Sequence, residues 1–465
     1  MCAVSVDERS REAPTSEELL AKAQQPSADA LRLHPFYRGK IETVPKACIR
    51  SLDDFAIWYT PGVAASCRAI EADPDQVYEH TNKWNTVAVV SDGTRVLGLG
   101  DIGPKAGLPV MEGKALLFKY LGGVDAVPIM LDTKDPDEII RTVLLLQPGF
   151  GGVNLEDISQ PKCFRILDTL RAQAEIPIWH DDQQGTACVT LAGLLNALKI
   201  VGKRMDDVHA VFIGSGAANI AITRLCFKAG LDPAKSLVVD SHGILHCKRQ
   251  DIFRRRAEFV DKWRLCETTN PACISGGIAE ALAGADVCIA VSQPGPGTIL
   301  PEWVSAMAED AIVFACANPV PEIWPWEAIA AGARIVATGR SDFPNQVNNS
   351  LGFPGIFRGA LDVRARTITD EMCIAAAEAL AAAAPDGGMN AECILPTMED
   401  REVFAREAVA VGMKAQEQGI ARAALDAESL FRHAATIIAR ARGLTASMMA
   451  EGFIAEPPET EAHDV

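Results

Sequence analysis

The sequence predicts an α/β fold: an N-terminal α/β unit, then a doubly wound parallel sheet, then a group of closing helices. Three observations carry this. Short apolar runs of strand length alternate with helical periodicity through the middle of the 465-residue chain, the pattern of parallel βαβ units. A glycine-rich turn, Gly214-Ser215-Gly216, follows one such run and opens a helix. Beyond residue 366 helical patterns continue without intervening strands.

In chain order, residues 1–33 are polar and read as a helical or loosely attached segment. The first unit spans 34–183. Within it the apolar runs Asn85 to Val90 and Arg95 to Leu99 flank Ser91-Asp92-Gly93-Thr94, which predicts a β-hairpin with an Asp-Gly turn. Asp125 to Leu131, Gly152 to Leu155 and Pro177 to Trp179 are further strands. Asp135-Pro136-Asp137-Glu138 opens a helix, with an Asp cap, proline at the first position and acids in the first turn. The second unit, 184–366, begins with a helix over Gln184 to Ile200. Past Met205 it continues with strands at Val208 to Ile213, Ser236 to Val239, Asp286 to Ala290, Ala311 to Ala315 and Arg334 to Ala337, and a helix at Ala217 to Ala229. Helices at Thr369 to Ala384, Asp400 to Gln418 and Ala427 to Arg442 fill 367–455, some of them expected to pack back on the first unit. The acidic, proline-containing tail 456–465 reads as disordered.

Composition narrows the function classes. At 48% hydrophobic and 23% charged residues the chain is an ordinary globular protein with room for two or three cored domains. A net charge of −17 opposes broad nucleic-acid binding, which needs many phosphate-neutralising cations. The thirteen cysteines are odd in number and scattered, with no C-x-x-C pair, so reduced thiols in a cytoplasm are expected rather than a disulfide framework or a zinc site. No apolar run is expected to cross a bilayer. The acidic start, with Asp7, Glu8, Glu12, Glu17 and Glu18, lacks the form of a secretory signal or a transit peptide.

Chemistry concentrates in three places. Gly214-Ser215-Gly216-Ala217 between a strand and a helix suits a dinucleotide pyrophosphate, because glycines admit the backbone and the helix N-terminus attracts its charge. Asn219 stands where the usual pattern has a third glycine. Asp240, ending the next strand, lies at the spacing of a ribose-binding acid. A plain strand–helix turn fits the same glycines. Two acid pairs, Glu156-Asp157 and Asp181-Asp182, each follow a strand and together supply hard-cation ligands for Mg²⁺ or Mn²⁺. Helix capping is the other reading, above all for Asp182. Finally, Gly98 to Lys119 is dense in glycine and carries Lys105, Lys114 and Lys119. A lysine buried there with a lowered pKa would act as a base, whereas a lysine on the helix beginning near Glu112 would be a surface charge. Tyr59 is one of only four tyrosines and suits either core or catalysis.

Together these segments resemble the malic enzyme family in its shorter bacterial and archaeal form, over roughly 34 to 440. The resemblance rests on Tyr59-Thr-Pro-Gly-Val-Ala, on Ser91-Asp-Gly-Thr-Arg-Val-Leu-Gly-Leu-Gly-Asp-Ile-Gly and on Pro109-Val-Met-Glu-Gly-Lys-Ala. Asn154-Leu-Glu-Asp-Ile, His180-Asp-Asp-Gln-Gln-Gly-Thr-Ala, Asn318-Pro319 and Asn348-Asn349 complete it. It implies a substrate- and metal-binding first domain and a Rossmann-like dinucleotide-binding second domain, in an enzyme that converts malate to pyruvate and CO₂. It implies Lys114 as general base, Tyr59 as general acid, and Asp181 as the residue that helps hold the lysine and the metal site in position. Glu156, Asp157 and Asp182 become the metal ligands. Arg95, Asn318 and Asn349 become substrate contacts, and Thr186, Gly214, Ser215, Gly216, Ala217 and Asn318 line the dinucleotide site. Gln183 departs from the Ile of many relatives. The cofactor is NADP or NAD. The resemblance leans to NADP, with His242, Lys248 and Arg249 as receivers of a 2′-phosphate, while Asp240 favours NAD. At least a homodimer is implied, and no acetyltransferase-like C-terminal domain. Malolactic-type or oxaloacetate decarboxylation, or a non-catalytic dinucleotide-binding regulator, are the other readings.

Overall fold

The computed structural model describes residues 16–340, 343–383, 388–400 and 402–458. The start of the polar N-terminal segment, the end of the acidic tail and residues 384 and 401 of the expected helices lie outside them. A four-stranded parallel sheet is built from β1 (Thr86–Ser91), β2 (Asp125–Met130), β3 (Gly152–Leu155) and β4 (Ile178–His180), in the order β2-β1-β3-β4. β1 is central and covered on both faces, so Val87, Ala88, Val89 and Val90 are all fully buried and the strand reads as an unbroken apolar run. The helix Pro136–Leu146 starts as expected, with Asp135 accepting from the Asp137 N–H at 2.8 Å.

The expected hairpin does not form. β1 already has a parallel neighbour on each side, so no edge is open to Arg95–Leu99. Asp92 instead accepts from the Thr94 N–H at 3.1 Å and pairs with Lys162. Gly93 sits at φ +68°, with the Gly103 carbonyl oxygen 2.3 Å from where a Cβ would stand. The chain therefore leaves the sheet and enters a helix at Gly103–Gly122, which starts earlier than the expected Glu112.

The second sheet has the order β10-β9-β8-β5-β6-β7, with β5 (Ala210–Ile213), β6 (Ser236–Asp240), β7 (Gly243–Ile244), β8 (Val287–Ala290), β9 (Ile312–Ala315) and β10 (Ile335–Thr338). Only the short β7 runs antiparallel. Strand order reverses between β5 and β8, which places a crevice at their carboxyl ends. Between the sheets, Asp181–Val201 is long and apolar enough to cross a membrane, contrary to expectation, yet most of it is buried in this molecule. It packs on the second sheet at Gly193, whose absent Cβ leaves room for the Phe314 ring.

Helices at Asp370–Ala382, Val403–Glu417 and Ala427–Ala450 close the fold. The Ala427–Ala450 and Phe353–Asp362 helices pack on the first unit. Asp370–Ala382 lies mainly on the Asp181–Val201 stretch, where Asn196 donates to the Ala381 carbonyl at 2.9 Å, and Val403–Glu417 lies on Phe353–Asp362 and Asp370–Ala382. The Phe118 ring lies 4.6 Å from Phe353 and 5.2 Å from Phe357, and Ile437 meets Gly123. The described cysteines are free thiols.

Candidate active site

Because β3 and β4 are parallel neighbours, with Leu155 opposite His180, their carboxyl ends deliver Glu156-Asp157 and Asp181-Asp182 to one place. The chain makes a single wide turn over Asp181–Gly185 before the helix Thr186–Val201. Gly185 is required there, since a Cβ would stand 2.0 Å from Asp181 Oδ1. Lys114, from the middle of the Gly103–Gly122 helix, reaches the same point. Its Nζ is 2.5 Å from Asp181 Oδ2, 3.0 Å from Glu156 Oε1 and 4.3 Å from the Phe353 ring centre. Asp181 is held on three sides: Trp179 Nε1 donates to Oδ1 at 3.0 Å, and Asn349 Nδ2 and Lys114 donate to Oδ2. Asn154 Nδ2 donates to Glu156 at 2.8 Å, and the Asp157 N–H donates to Asp182 at 2.9 Å.

The electrostatics are those of a cluster with too few cations. Burial alone would lower the Lys114 pKa, but Asp181 and Glu156 outweigh it and raise it. The lowered lysine expected from the sequence is therefore not what the cluster produces as it stands. Burial raises Glu156 and Asp181 despite Lys114, and burial plus the charge of Asp182 pushes Asp157 up to about 8. Asp157 Oδ2 is buried without a hydrogen-bond partner. Crowded carboxylates with an orphaned oxygen are the donor set of a divalent cation, so Glu156, Asp157 and Asp182 fit one. Among the described residues no three donors form a preformed cage, because Glu156 and Asp181 are drawn onto Lys114.

The glycine turn after β5 is built for close approach. Gly214 has φ +100°, and a Cβ there would stand 2.6 Å from the Val291 carbonyl oxygen at the end of β8. Gly216 is extended and precedes the Ala217–Lys228 helix. Asn219, in the place of a third glycine, donates to the Ile213 carbonyl at 2.7 Å and the Gly214 carbonyl at 3.0 Å, so it braces the turn instead of admitting closer packing. Thr186 opens its helix beside the carboxylates. Asn318 follows β9 in a cis Asn318–Pro319 bond, and its carbonyl lies against Gly98 of the first unit. Asp240 ends β6, but its carboxylate is held by Arg249, at 3.1 Å to each oxygen, and by Lys262 at 2.5 Å. Arg249 also pairs with Asp251, so it is not the free phosphate receiver expected.

Two expected residues stand apart from the cluster. Tyr59 is 71% exposed, and among the described residues its hydroxyl makes no hydrogen bond. Arg95 donates to the Leu97 carbonyl in solvent, although its backbone N–H binds the Asp157 carbonyl at 3.0 Å. Sequence reasoning missed Glu322. This buried acid accepts from the Ser292 N–H and hydroxyl and from the Ala317 N–H, clamping the loops after β8 and β9 beside Asn318. An acid inside the apolar run Asn318-Pro-Val-Pro-Glu-Ile was the available signal. His180 was missed as well. It is fully buried, 3.6 Å from Asp182, and neither ring nitrogen has a hydrogen-bond partner.

Residues 38–171 match the family description "Malic enzyme, N-terminal domain" and residues 183–416 match "Malic enzyme, NAD binding domain". The chain is 51% identical over 385 residues to the NAD-dependent malic enzyme of Geobacillus stearothermophilus, covering 83% of this chain and 78% of that one. It is 49% identical over 402 residues to the bifunctional malic/malolactic enzyme of Bacillus subtilis, covering 86% and 96%. The crystal structure of Entamoeba histolytica malic enzyme superposes with a TM-score of 0.93 at 50% identity, covering 96% of this chain and 93% of that one. Sequence and fold agree over nearly the whole length of both proteins, and the chain belongs to the malic enzyme family.

Proposed function

We propose that the protein oxidises malate at C2 with NAD or NADP and decarboxylates the resulting keto acid to pyruvate and CO₂. The observation that carries this reading is Lys114 set between Asp181 and Glu156 at the carboxyl ends of β3 and β4, with Asn349 on the same Asp181 oxygen. Glu156, Asp157 and Asp182 would hold a divalent Mg²⁺ or Mn²⁺, which when bound would supply Lewis-acid polarisation of the substrate. With Glu156 and Asp182 committed to a cation, Asp181 is the remaining anion on Lys114. The desolvated amine then yields its proton more readily and can accept one from the C2 hydroxyl. Arg95, next to Asp157, would meet a substrate carboxylate with its forked donors, together with Asn318 and Asn349.

The charges of Asp240, Asp251, Arg249 and Lys262 balance, so the end of β6 neither repels nor clamps a 2′-phosphate. This supports use of either dinucleotide, with Gly214 to Ala217 receiving the pyrophosphate. The substrate- and metal-binding unit is taken as 34–183 and the dinucleotide unit as 184–366. Free cysteines fit a reducing cytoplasm.

We also propose a homodimer or higher oligomer. Leu52, Ile57, Trp58 and Tyr59 are all at least 50% exposed on one short stretch. A second copy would cover them, and Tyr59 serves as general acid only in that assembly.

The test is a spectrophotometric assay of malate with Mn²⁺ and each dinucleotide, with pyruvate measured in parallel. Reduced dinucleotide and pyruvate should appear in equal amounts. Lactate without net reduced dinucleotide would overturn the reading in favour of a malolactic reaction, the second activity in the name of the Bacillus subtilis relative.

A further inference from the structure

Two thiols outside the active site face each other. Cys247 follows β7 and Cys273 lies in the turn before the helix Ile278–Leu282, 26 residues further on, and their Sγ atoms are 3.6 Å apart. Cys247 is exposed and Cys273 half-buried. Of the other described cysteines of this unit, Cys188, Cys226, Cys266 and Cys288 are buried, and Cys316 is half-buried and hydrogen-bonds to no second thiol among the described residues. Burial pushes the Cys226 thiol up to about 12 and Cys266 up to about 11, while Cys273 is raised by its hydrogen bond to Cys247, so contact and access, not thiol acidity, set this pair apart.

The apposition is imposed by the frame around it. Asn270 Nδ2 donates to the Leu245 carbonyl at 3.0 Å, and Asn270 exchanges side-chain bonds with the Ile274 N–H and carbonyl. The Ile244 N–H donates to the Gly276 carbonyl at 2.9 Å, and the Cys273 N–H to the Asn270 carbonyl at 3.0 Å. The two loops are thus fastened together at Leu245–Asn270 and Ile244–Gly276, on either side of Cys273 and just before Cys247. Two residues beyond Cys247, Arg249 reaches back to the Asp240 carboxylate and to the Gly243 and Ile244 carbonyls.

We propose that Cys247 and Cys273 form a dithiol modification site, oxidised by a peroxide to an intrachain disulfide, and that this bond alters dinucleotide binding through Arg249 and Asp240. One thiolate attacks a peroxide oxygen. The O–O bond breaks, hydroxide leaves and takes a proton as water, and a sulfenic acid remains. The second thiolate attacks that sulfur and displaces hydroxide, which leaves as a second water. Two thiols and one hydrogen peroxide give one disulfide and two waters, with two electrons passing from sulfur to peroxide. Closing the S–S distance from 3.6 Å to about 2.0 Å draws the Leu245–Arg249 loop toward Cys273. Arg249 moves with that loop, and Asp240 with Arg249. The coupling rests on the reading of Asp240 as a dinucleotide-binding acid.

The experiment treats the full chain with a small excess of hydrogen peroxide, then alkylates residual thiols and maps non-reduced peptides. KM for the dinucleotide and for malate is measured before oxidation, after it and after dithiothreitol. A Cys247–Cys273 linked peptide is expected. KM for the dinucleotide should shift about five-fold or more, the scale of ordinary site coupling, while KM for malate holds, and both changes should reverse on reduction. Cys273→Ser should keep basal activity and lose both the link and the shift. If both thiols remain alkylatable or over-oxidise without linking, the site is refuted. A link without a change in dinucleotide KM refutes the coupling. Asp240→Asn separates the two failures: if its dinucleotide KM equals wild type, the reading of Asp240 is wrong, whatever the thiols do.

Discussion

At the scale of single residues, the active cluster is a contest between one ammonium and four carboxylates. Lys114 is buried yet held protonated by Asp181 and Glu156, so the base role proposed for it depends on what else those acids bind. Lys114→Ala should abolish malate oxidation by about 10²–10⁴-fold or more, with partial rescue by a small amine in the buffer; turnover within a few-fold of wild type would remove the assignment. Asp182→Asn keeps the shape of a ligand and removes its charge. Mn²⁺ affinity, read by titration, should fall with turnover, while dinucleotide binding and the folded circular dichroism spectrum persist. The acids were legible in the sequence because each pair follows a strand. The direction of the lysine shift was not, because it depends on two side chains from β3 and β4 meeting one from a helix about 40 to 70 positions earlier in the chain. Asn219 shows the same limit: as a missing glycine it reads as a weakened motif, while its two bonds to the Ile213 and Gly214 carbonyls show it bracing the turn.

At the scale of elements, strands within the apolar alternation were readable to within a residue or two, β3 among them. The misread hairpin followed from treating Asp-Gly as a local signal, when the two edges of β1 were already taken by partners distant in sequence. How the elements are tied together was also not legible. Asp370, at the start of the helix Asp370–Ala382, meets Arg171 of the first unit and Arg224 of the second, each at 3.4 Å, from a largely buried position. Asp370→Asn should cost about 1–3 kcal/mol in denaturant unfolding, between exposed and buried ion pairs. Its neighbour Glu371 is held down at about 2 by hydrogen bonding to Lys228. A depressed carboxylate contributes stability that is complete above its unfolded value of about 4.3 and is lost as pH falls toward the folded value. Both side chains are more than 40% exposed, so solvent screening keeps the pair below about 1 kcal/mol. Glu371→Gln should therefore be slightly less stable than wild type at neutral pH, and the gap should narrow as pH falls below about 4.

At the scale of the whole molecule, one core joins the inner faces of the two sheets, the helix between them and the closing helices, with a separate apolar cluster on the other face of each sheet, yet the stretch carrying Tyr59 stays outside all three. Leu52 is 83% exposed, Ile57 59% and Trp58 50%, beside Tyr59 at 71%. A contiguous exposed apolar surface of this kind marks an interaction face. The general acid expected by resemblance lies on that face and not against Lys114. If a second copy covers it, assembly and catalysis are linked, and variants should separate the two. Ile57→Asp places a charge in the contact without touching the Lys114 cluster. It should shift the protein toward monomer in sedimentation velocity and lower pyruvate formation in proportion. Tyr59→Phe keeps the ring and removes only the hydroxyl. It should leave the oligomer intact and still lower pyruvate formation by about 10²-fold or more, the weight of a general acid. Reduction of a keto acid by the reduced dinucleotide needs no proton at C3, so it should suffer less in Tyr59→Phe. A wild-type protein that sediments as a monomer at assay concentration and is fully active would break the link, and normal pyruvate formation by Tyr59→Phe would take the acid role from Tyr59.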